Sequence, residues 1–310
     1  KKEDILASDQ EPLSQIVSNF AENIESLKVK KNLSEELRPL GARQNRVACD
    51  DTSSYDHFGS LFSKYVNKKF WKQPYHQLMV RLKRNNVDLS IFKNAMILDM
   101  GCGSGRNVFV LKELGADKVI GIDISESGVV VAKSRQKELG MDGLEFYIAS
   151  ALKLPFDDNA FDIVFSVGVF HHTPDWKKCL YEMYRVMKPG GIGLLMYLNE
   201  KPGGLFWDVI EILRCVVRDD PPLLIQRSLE ILGINPNHII KQLDPLLCHI
   251  NVRLSVNEIE SHLNSLGAYE IRRFLRGADT DRIEKVYNKE PFAKEKYGIG
   301  GHRYFFHKPL

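Results

Sequence analysis

Between residues 95 and 198 the chain alternates short, predominantly apolar runs with longer segments whose apolar positions recur every three or four residues. The runs "AMILDM", "KVIGID", "LEFYIA", "FDIVFSV" and "GIGLLMYL" have the length and β-branched content of buried strands. The segments between them, "RNVFVLKELG", "SGVVVAKSRQKELG" and "DWKKCLYEMYRVMK", carry the helical period. Strand and helix in regular alternation predict a parallel sheet covered on both faces. Gly115 and Gly140 are placed to close two of the helices, and "KPGG" (Lys188 to Gly191) to turn the chain into the fifth strand.

The flanks follow a different pattern. Leu13, Ile16, Val17, Phe20, Ile24 and Leu27 predict an amphipathic helix over about residues 11 to 29. The polar stretch "GARQNRVACDDTSS" then offers caps for a helix opening in "YDHFGSLFSKYV", and "YHQLMVRLKR" predicts another. After Asn199 the strands stop, and residues 201–250 read as a helical insertion broken at Pro221-Pro222 and Pro236. A helix, "SVNEIESHLNSLG", and two strands, "YEIRRFL" and "HRYFFHK", complete the pattern. The expected organisation is an N-terminal helical lid or cap segment over 1–90, a ligand-binding core over 91–200, an acceptor cap over 201–250 and a completion of the sheet over 251–310.

Composition narrows the functions open to such a chain. Its 310 residues hold 43 basic and 40 acidic side chains, a formal charge of +3, which is far from the basic excess of a protein that lives on nucleic acid. The five cysteines, Cys49, Cys102, Cys179, Cys215 and Cys248, form no CxxC pair and no His cluster. That spacing predicts free thiols in a cytoplasmic protein and no metal site. The opening "KKEDILASDQ" is too charged for a secretory signal, and no apolar run approaches the roughly 20 residues that span a bilayer. The oligomeric state, a homodimer included, stays open.

The chemistry is concentrated in "ILDMGCGSGRN", residues 97 to 107, where a glycine-rich turn follows the first strand. In a doubly wound sheet this turn faces the ligand, and glycine lets backbone approach it closely. Gly101, Gly103 and Gly105 are spaced G-x-G-x-G; Arg106 stands where a dinucleotide fingerprint has its third glycine, and no Gly-Lys-Ser/Thr follows. Asp99 precedes the turn, placed to accept hydrogen bonds from a ligand's ammonium or from the turn's own N–H groups. Asp123 ends the second strand about twenty residues on, where an acid can accept both ribose hydroxyls. Acid, glycine turn and second acid describe a site for a nucleoside with a zwitterionic tail and no phosphate.

At these residues the sequence resembles the class I S-adenosylmethionine-dependent methyltransferases, in the small-molecule branch similar to the ubiquinone and menaquinone biosynthesis enzymes. "ILDMGCGSGRN", "VIGIDIS", "LPFDDNAFDIVFSVGVFHH" and "RVMKPGGIGLLM" carry the resemblance in motif order over roughly residues 95 to 200. It implies a Rossmann-like seven-stranded, mostly parallel sheet with helices on both faces, with "HRYFFHK" as an antiparallel last strand. It implies S-adenosylmethionine as cofactor and a small organic acceptor as partner, methylated on oxygen or nitrogen. Asp99, Gly101 and Gly103, with Cys102 and Gly105 in the same loop, would face the methionyl part, and Asp123 with Ile124 the ribose side. Where the family often carries an acid for the adenine amino group this chain has Ser150, so Ser150 and the Ala151 N–H are the candidates there.

His171 and His172 follow the fourth strand. Either is placed to take an acceptor proton, His172 slightly preferred, or the pair only packs beneath the following helix. Tyr55 and Phe58 are candidates for a lid over the cofactor, or for a core stripe. Trp71, Tyr197, Phe206 and Trp207 are wall or core residues. Asp162 reads as orienting the fourth strand, and the Cys102 thiol as a small filler. Arg272, Arg273, Arg276, Arg282, His302 and Arg303 give the C-terminal part a basic cast, read as a solvated surface in preference to a clamp for an acidic acceptor. Competing functions are a methyltransferase acting on tRNA or protein, a non-catalytic cofactor-binding relative, and a nicotinamide oxidoreductase, the last opposed by Arg106.

Overall fold

The computed structural model describes residues 68–310 apart from 218, 219 and 235. The expected helix over 11 to 29, Tyr55, Phe58 and most of the lid segment lie outside these residues. The chain divides into two compact units, whose described parts are 68–204 with 249–310, and 205–248.

The larger unit is built on seven strands: β1 (Met96–Met100), β2 (Lys118–Asp123), β3 (Leu144–Ile148), β4 (Phe161–Ser166), β5 (Met187–Leu198), β6 (Tyr269–Arg273) and β7 (His302–His307). Their order is β3-β2-β1-β4-β5-β7-β6, and β7 runs antiparallel to both neighbours. All seven expected strand segments form. The chain leaves β1 toward β2 on one side and reaches β4 on the other, so the strand order reverses between β1 and β4. Helices diverge there and leave a crevice at the carboxyl ends of the strands. Asp99, the penultimate residue of β1, pairs with Gly121 on one side and Phe165 on the other and so ends at that crevice.

Side chains alternate across the sheet, and each face buries its own core. Ile97, Val119, Ile163, Leu194 and Phe305 pack on one face with Leu78 and Leu82 of α1 (Lys68–Arg84) and Val108 and Leu111 of α2 (Arg106–Glu113). On the other face Leu98, Val164, Leu195 and Phe306 meet Leu180 and Met183 of α4 (Trp176–Val186) and Ile259 and Leu263 of α8 (Val256–Ser265). Full burial of side chains of this size stabilises by about 1.5–3 kcal/mol each relative to exposure, and that sets the strand positions.

Local signals fix the helix ends. α3 (Glu126–Leu139) starts at Ser125, whose hydroxyl accepts from the Gly128 N–H, and stops at left-handed Gly140; α8 carries a capping box of Ser255 and Glu258. Asp162 orients β4 as expected, its carboxylate accepting from the Met96 N–H and Lys188 Nζ. "KPGG" is a departure. β5 begins at Met187, and the glycines lie within it as an irregularity over which pairing passes from Phe161 with Met187 to Ile163 with Ile192.

The second unit holds α5 (Gly204–Val217), α6 (Pro222–Ile231) and α7 (Pro236–Leu247). The prolines that interrupt the sequence pattern open α6 and α7, where a missing N–H costs nothing. Trp207, Ile210 and Leu246 form this unit's core, which makes Trp207 and Phe206 core aromatics. Arg214 Nη1 donates to the carbonyls of Pro245 and Cys248, a cation on the C-terminal end of α7. Two short helices unforeseen in the sequence, α9 (Arg282–Tyr287) and α10 (Ala293–Tyr297), precede β7. No helix among the described residues is long and apolar enough to cross a membrane.

Candidate active site

Two acids and three glycines meet at the β1 end of the crevice. Gly101, Gly103 and Gly105 have φ of +79°, +52° and +80°, the left-handed region that favours glycine. The turn is tied to β2 at several points: the Gly101 and Cys102 N–H groups both donate to the Ile122 carbonyl at 2.8 Å, and the Gly103 N–H donates to Asp123 Oδ2 at 2.7 Å. Asp123 Oδ1 accepts from the Ser125 N–H at 2.8 Å. Each carboxylate oxygen retains a lone pair, so this acid braces the turn and still faces the crevice. Cys102 is the expected filler. Its Sγ lies where a Cβ on Gly121 would come within 2.9 Å, and burial pushes the thiol up, far from a nucleophilic thiolate.

Asp99 is the anomaly. It has 0% exposure, and neither carboxylate oxygen has a hydrogen-bond partner among the described residues. Burial, and secondarily the charge of Asp123, push its carboxyl well above the ordinary carboxylate range. The turn's N–H groups go to Ile122 and Asp123, so the alternative in which Asp99 satisfies the turn is not what forms. A buried acid without a donor is rare and calls for one from outside the chain.

Beyond Asp123, Ile124 is 45% exposed and offers an apolar surface at the crevice. Ser150 and Ala151 lie half-buried after β3, and the Ser150 hydroxyl accepts from the Leu152 N–H at 3.2 Å, within its own turn.

The β4 and β5 ends form the neighbouring wall. Val169 packs directly on Gly101, and the short helix Phe170–His172 follows. His171 is fully buried; its ring lies 4.0 Å from that of His172 and 5.6 Å, edge to face, from that of Tyr197. Neither of its nitrogens has a partner among the described residues. Burial, with His172 and Arg282 nearby, holds it well below the usual imidazole range, so the ring is neutral. His172 Nδ1 lies 2.9 Å from the Ile250 carbonyl, which fixes that nitrogen as a donor. Tyr197 is gripped at its hydroxyl by Arg282 Nη2, and Arg282 also pairs with Glu200 at 3.5 Å.

The expectation of a solvated basic surface fails for His302 and Arg303, which are buried, and holds for Arg272, while Arg273, Arg276 and Arg282 are half-buried. His302 and Arg303 are 0% and 3% exposed. Arg303 Nη2 pairs with Asp281 at 3.1 Å, and the same carboxylate accepts both Nε and Nη2 of Arg81 at 2.7 Å. Arg276 pairs with Glu284, while Arg272 is exposed over the Phe305 ring. β7 starts beside Leu198 at the crevice end of β5, so His302 and Arg303 enter the core at that rim.

Asp99, the glycines, Asp123, Ile124 and the His171 loop thus meet along one edge of the sheet, while Tyr55 lies outside the described residues. Glu200, Asp281 and Arg81 escaped the sequence reading. Glu200 alone had a legible signal, an acid just past a strand end in "YLNE", as for Asp99 and Asp123.

The methyltransferase domain family matches residues 98–195. A demethylmenaquinone methyltransferase of Oceanobacillus iheyensis is 34% identical over 141 residues, covering 45% of this chain and 55% of that protein. One from Lactococcus lactis subsp. lactis is 42% identical over 142 residues, covering 45% of this chain and 52% of its own length. The chain therefore spans about half the length of the curated relatives it matches. A solved complex between the Haloferax volcanii Trm112 methyltransferase activator and a methyltransferase is similar in fold, with a TM-score of 0.54 at 20% identity over 82% of this chain and 99% of that one.

Proposed function

We propose that this chain, whose residues 98–195 match the methyltransferase domain family, transfers a methyl group from S-adenosylmethionine to an oxygen or nitrogen of a small organic acceptor. The observation that carries this reading is Asp99, a buried carboxyl with no donor among the described residues, beside a turn of three left-handed glycines. The residues present fit the cofactor. Asp99 supplies the acceptor for an ammonium, Gly101 and Gly103 let backbone close on the methionyl chain, Asp123 retains lone pairs for ribose, and Ile124 offers an apolar face to the base, with Ser150 and Ala151 at its edge. When bound, the sulfonium supplies a methyl group already activated for in-line displacement.

What remains for the protein is alignment, exclusion of water and removal of a proton. Contact between Val169 and Gly101 keys the loop that bears the histidines to the cofactor turn. His171 takes the role of base in preference to His172, because it is neutral and both its nitrogens are without partners among the described residues while His172 Nδ1 is held by Ile250. The family match stops at residue 195, short of Tyr197, Glu200, Arg282 and Arg303.

Calorimetric titration with S-adenosylhomocysteine and with NAD tests the reading. S-adenosylhomocysteine is expected to bind and NAD not, and Asp123→Ala is expected to weaken binding about 10- to 100-fold, the 1.5–3 kcal/mol of hydrogen bonds to a charged group. Binding of NAD, or of neither ligand to a folded sample, overturns it.

A further inference from the structure

We propose that the loop joining α9 to α10, with the side chains that flank it, docks on the surface of an anionic lipid bilayer. Its apolar side chains enter the headgroup boundary and its lysines meet lipid phosphates. This surface function goes beyond methyl transfer and does not depend on it.

The first observation is apolar exposure gathered in one stretch. Tyr287 closes α9 and is 50% exposed, Phe292 precedes α10 and is 36% exposed, and only Asn288 to Pro291 separate them. The Arg276 guanidinium lies 4.0 Å from the centre of the Tyr287 ring, and the residue before it, Leu275, is 56% exposed. Single apolar side chains on a surface are ordinary, whereas several together mark an interaction site. The backbone adds to this. Lys289 and Phe292 have φ of +55° and +59°, where an L side chain is disfavoured and a bulky one is an outlier. Such strain is kept where the surrounding structure fixes it, and it concentrates in functional segments.

The second observation is charge. Lys285 pairs with Glu290 at 3.6 Å. Lys289, Lys294 and Lys296 pair with no carboxylate among the described residues, and Glu295 is the acid left to set against the three. The loop and α10 therefore present excess positive charge beside the apolar side chains, with Lys296 Nζ 6.0 Å from the centre of the Phe292 ring. Apolar side chains flanked by lysines match an anionic bilayer, because the rings enter the boundary while the lysine stems reach back to the phosphates. A nucleic acid would also attract the lysines, but it takes up rings by stacking. Leu275 has no ring to stack, and a bilayer boundary accepts aliphatic and aromatic side chains alike.

The third observation is location. β7 is antiparallel to both β5 and β6, so the end of β6 and the start of β7 both lie at the crevice end of the sheet. The segment holding α9 and α10 connects these two points, and the Ile299 N–H ties it to the Pro202 carbonyl at 3.3 Å. The patch thus belongs to the end of the sheet where the crevice opens, and it shares no residue with the glycine turn.

Flotation of the intact chain with vesicles of phosphatidylcholine alone, and of phosphatidylcholine with phosphatidylglycerol, tests the proposal. The protein is expected to float with the mixed vesicles and not with the neutral ones, and to come off as salt is raised. Phe292→Asn, which suits a left-handed backbone, and the double variant Lys289→Glu with Lys294→Glu are each expected to lower partitioning at least about tenfold. Circular dichroism confirms that each variant is folded; if Phe292→Asn is not, Tyr287→Ser takes its place. The proposal is overturned if wild type does not float with the mixed vesicles or floats equally with the neutral ones. It is also overturned if the folded variants partition as wild type does, or if the lysine variant loses binding to an RNA oligonucleotide while its vesicle binding stays.

Discussion

Gly101→Ala is expected to reduce affinity for S-adenosylhomocysteine at least about 100-fold while leaving a folded protein. Two costs act together. At φ of +79° an L side chain pays the left-handed penalty, about 1–2 kcal/mol. The new Cβ would also stand 2.2 Å from Val169 Cγ2, 2.8 Å from Cγ1 and 3.0 Å from its Cβ. Rotation about χ1 moves only the first two atoms, so relief requires the turn or the loop to shift by about an ångström, a displacement that costs on the order of 100-fold where reacting groups must align. Calorimetry on the single variant checks the loss. Val169→Ala in the same chain removes the two Cγ contacts and is expected to recover much of it, an interaction readable from the double-mutant cycle. Gly140→Ala is the control for the backbone term: φ is +60° and nothing lies within 4 Å of the added carbon, so stability falls by about 1–2 kcal/mol with no change in ligand affinity.

Asp281→Ala is expected to lower the unfolding free energy by about 3–5 kcal/mol, the loss seen when one member of a buried ionic cluster is removed and its partners stay buried. Its carboxylate joins α1 through Arg81, β7 through Arg303 and the loop before α9 through the Ala278 N–H at 2.8 Å. Removal leaves the Arg303 guanidinium, 3% exposed, with no anion. Burial alone would raise this acid, but the charge of Arg303 and the hydrogen bonds of Arg81 outweigh it and hold the carboxyl well below the usual range. A depressed folded-state pKa stabilises above the unfolded value of about 3.9 and is lost as pH falls below that toward the folded value. Urea unfolding at pH 7 should show the full difference between wild type and variant. The gap should narrow progressively below about pH 4; a gap of equal size at pH 3 and pH 7 counts against the ionic account.

The strands were legible because each is an apolar run bounded by glycine or an acid, and burial on both faces leaves few alternatives to a parallel sheet. The glycine-turn end of the crevice was legible for a related reason: a left-handed turn favours glycine, and its brace, Asp123, lies twenty positions away. The ion-pair cluster at the start of β7 was not. Arg81 meets Asp281 across 200 positions, and a basic residue with no charged neighbour in sequence reads as surface. Nor did α9 and α10 announce themselves, being one or two turns long; α10 opens after Phe292 in the left-handed region, where an aromatic residue gives no warning. In β5, Pro189 and the two glycines carry a turn signal that the sheet absorbs as an irregularity.

The solitary Asp99 also determines what leaves the protein when a ligand arrives. Burial holds its carboxyl well above the ordinary carboxylate range and so favours the protonated form before a ligand arrives. An ammonium at that position would favour the ionised form, so association would expel a proton to solvent. Titration in buffers of different ionisation enthalpy is expected to give heats that depend on that enthalpy, and Asp99→Asn should flatten the dependence. Affinity would then strengthen as the medium becomes more alkaline through the Asp99 titration, with no change in the ligand or in any surface charge.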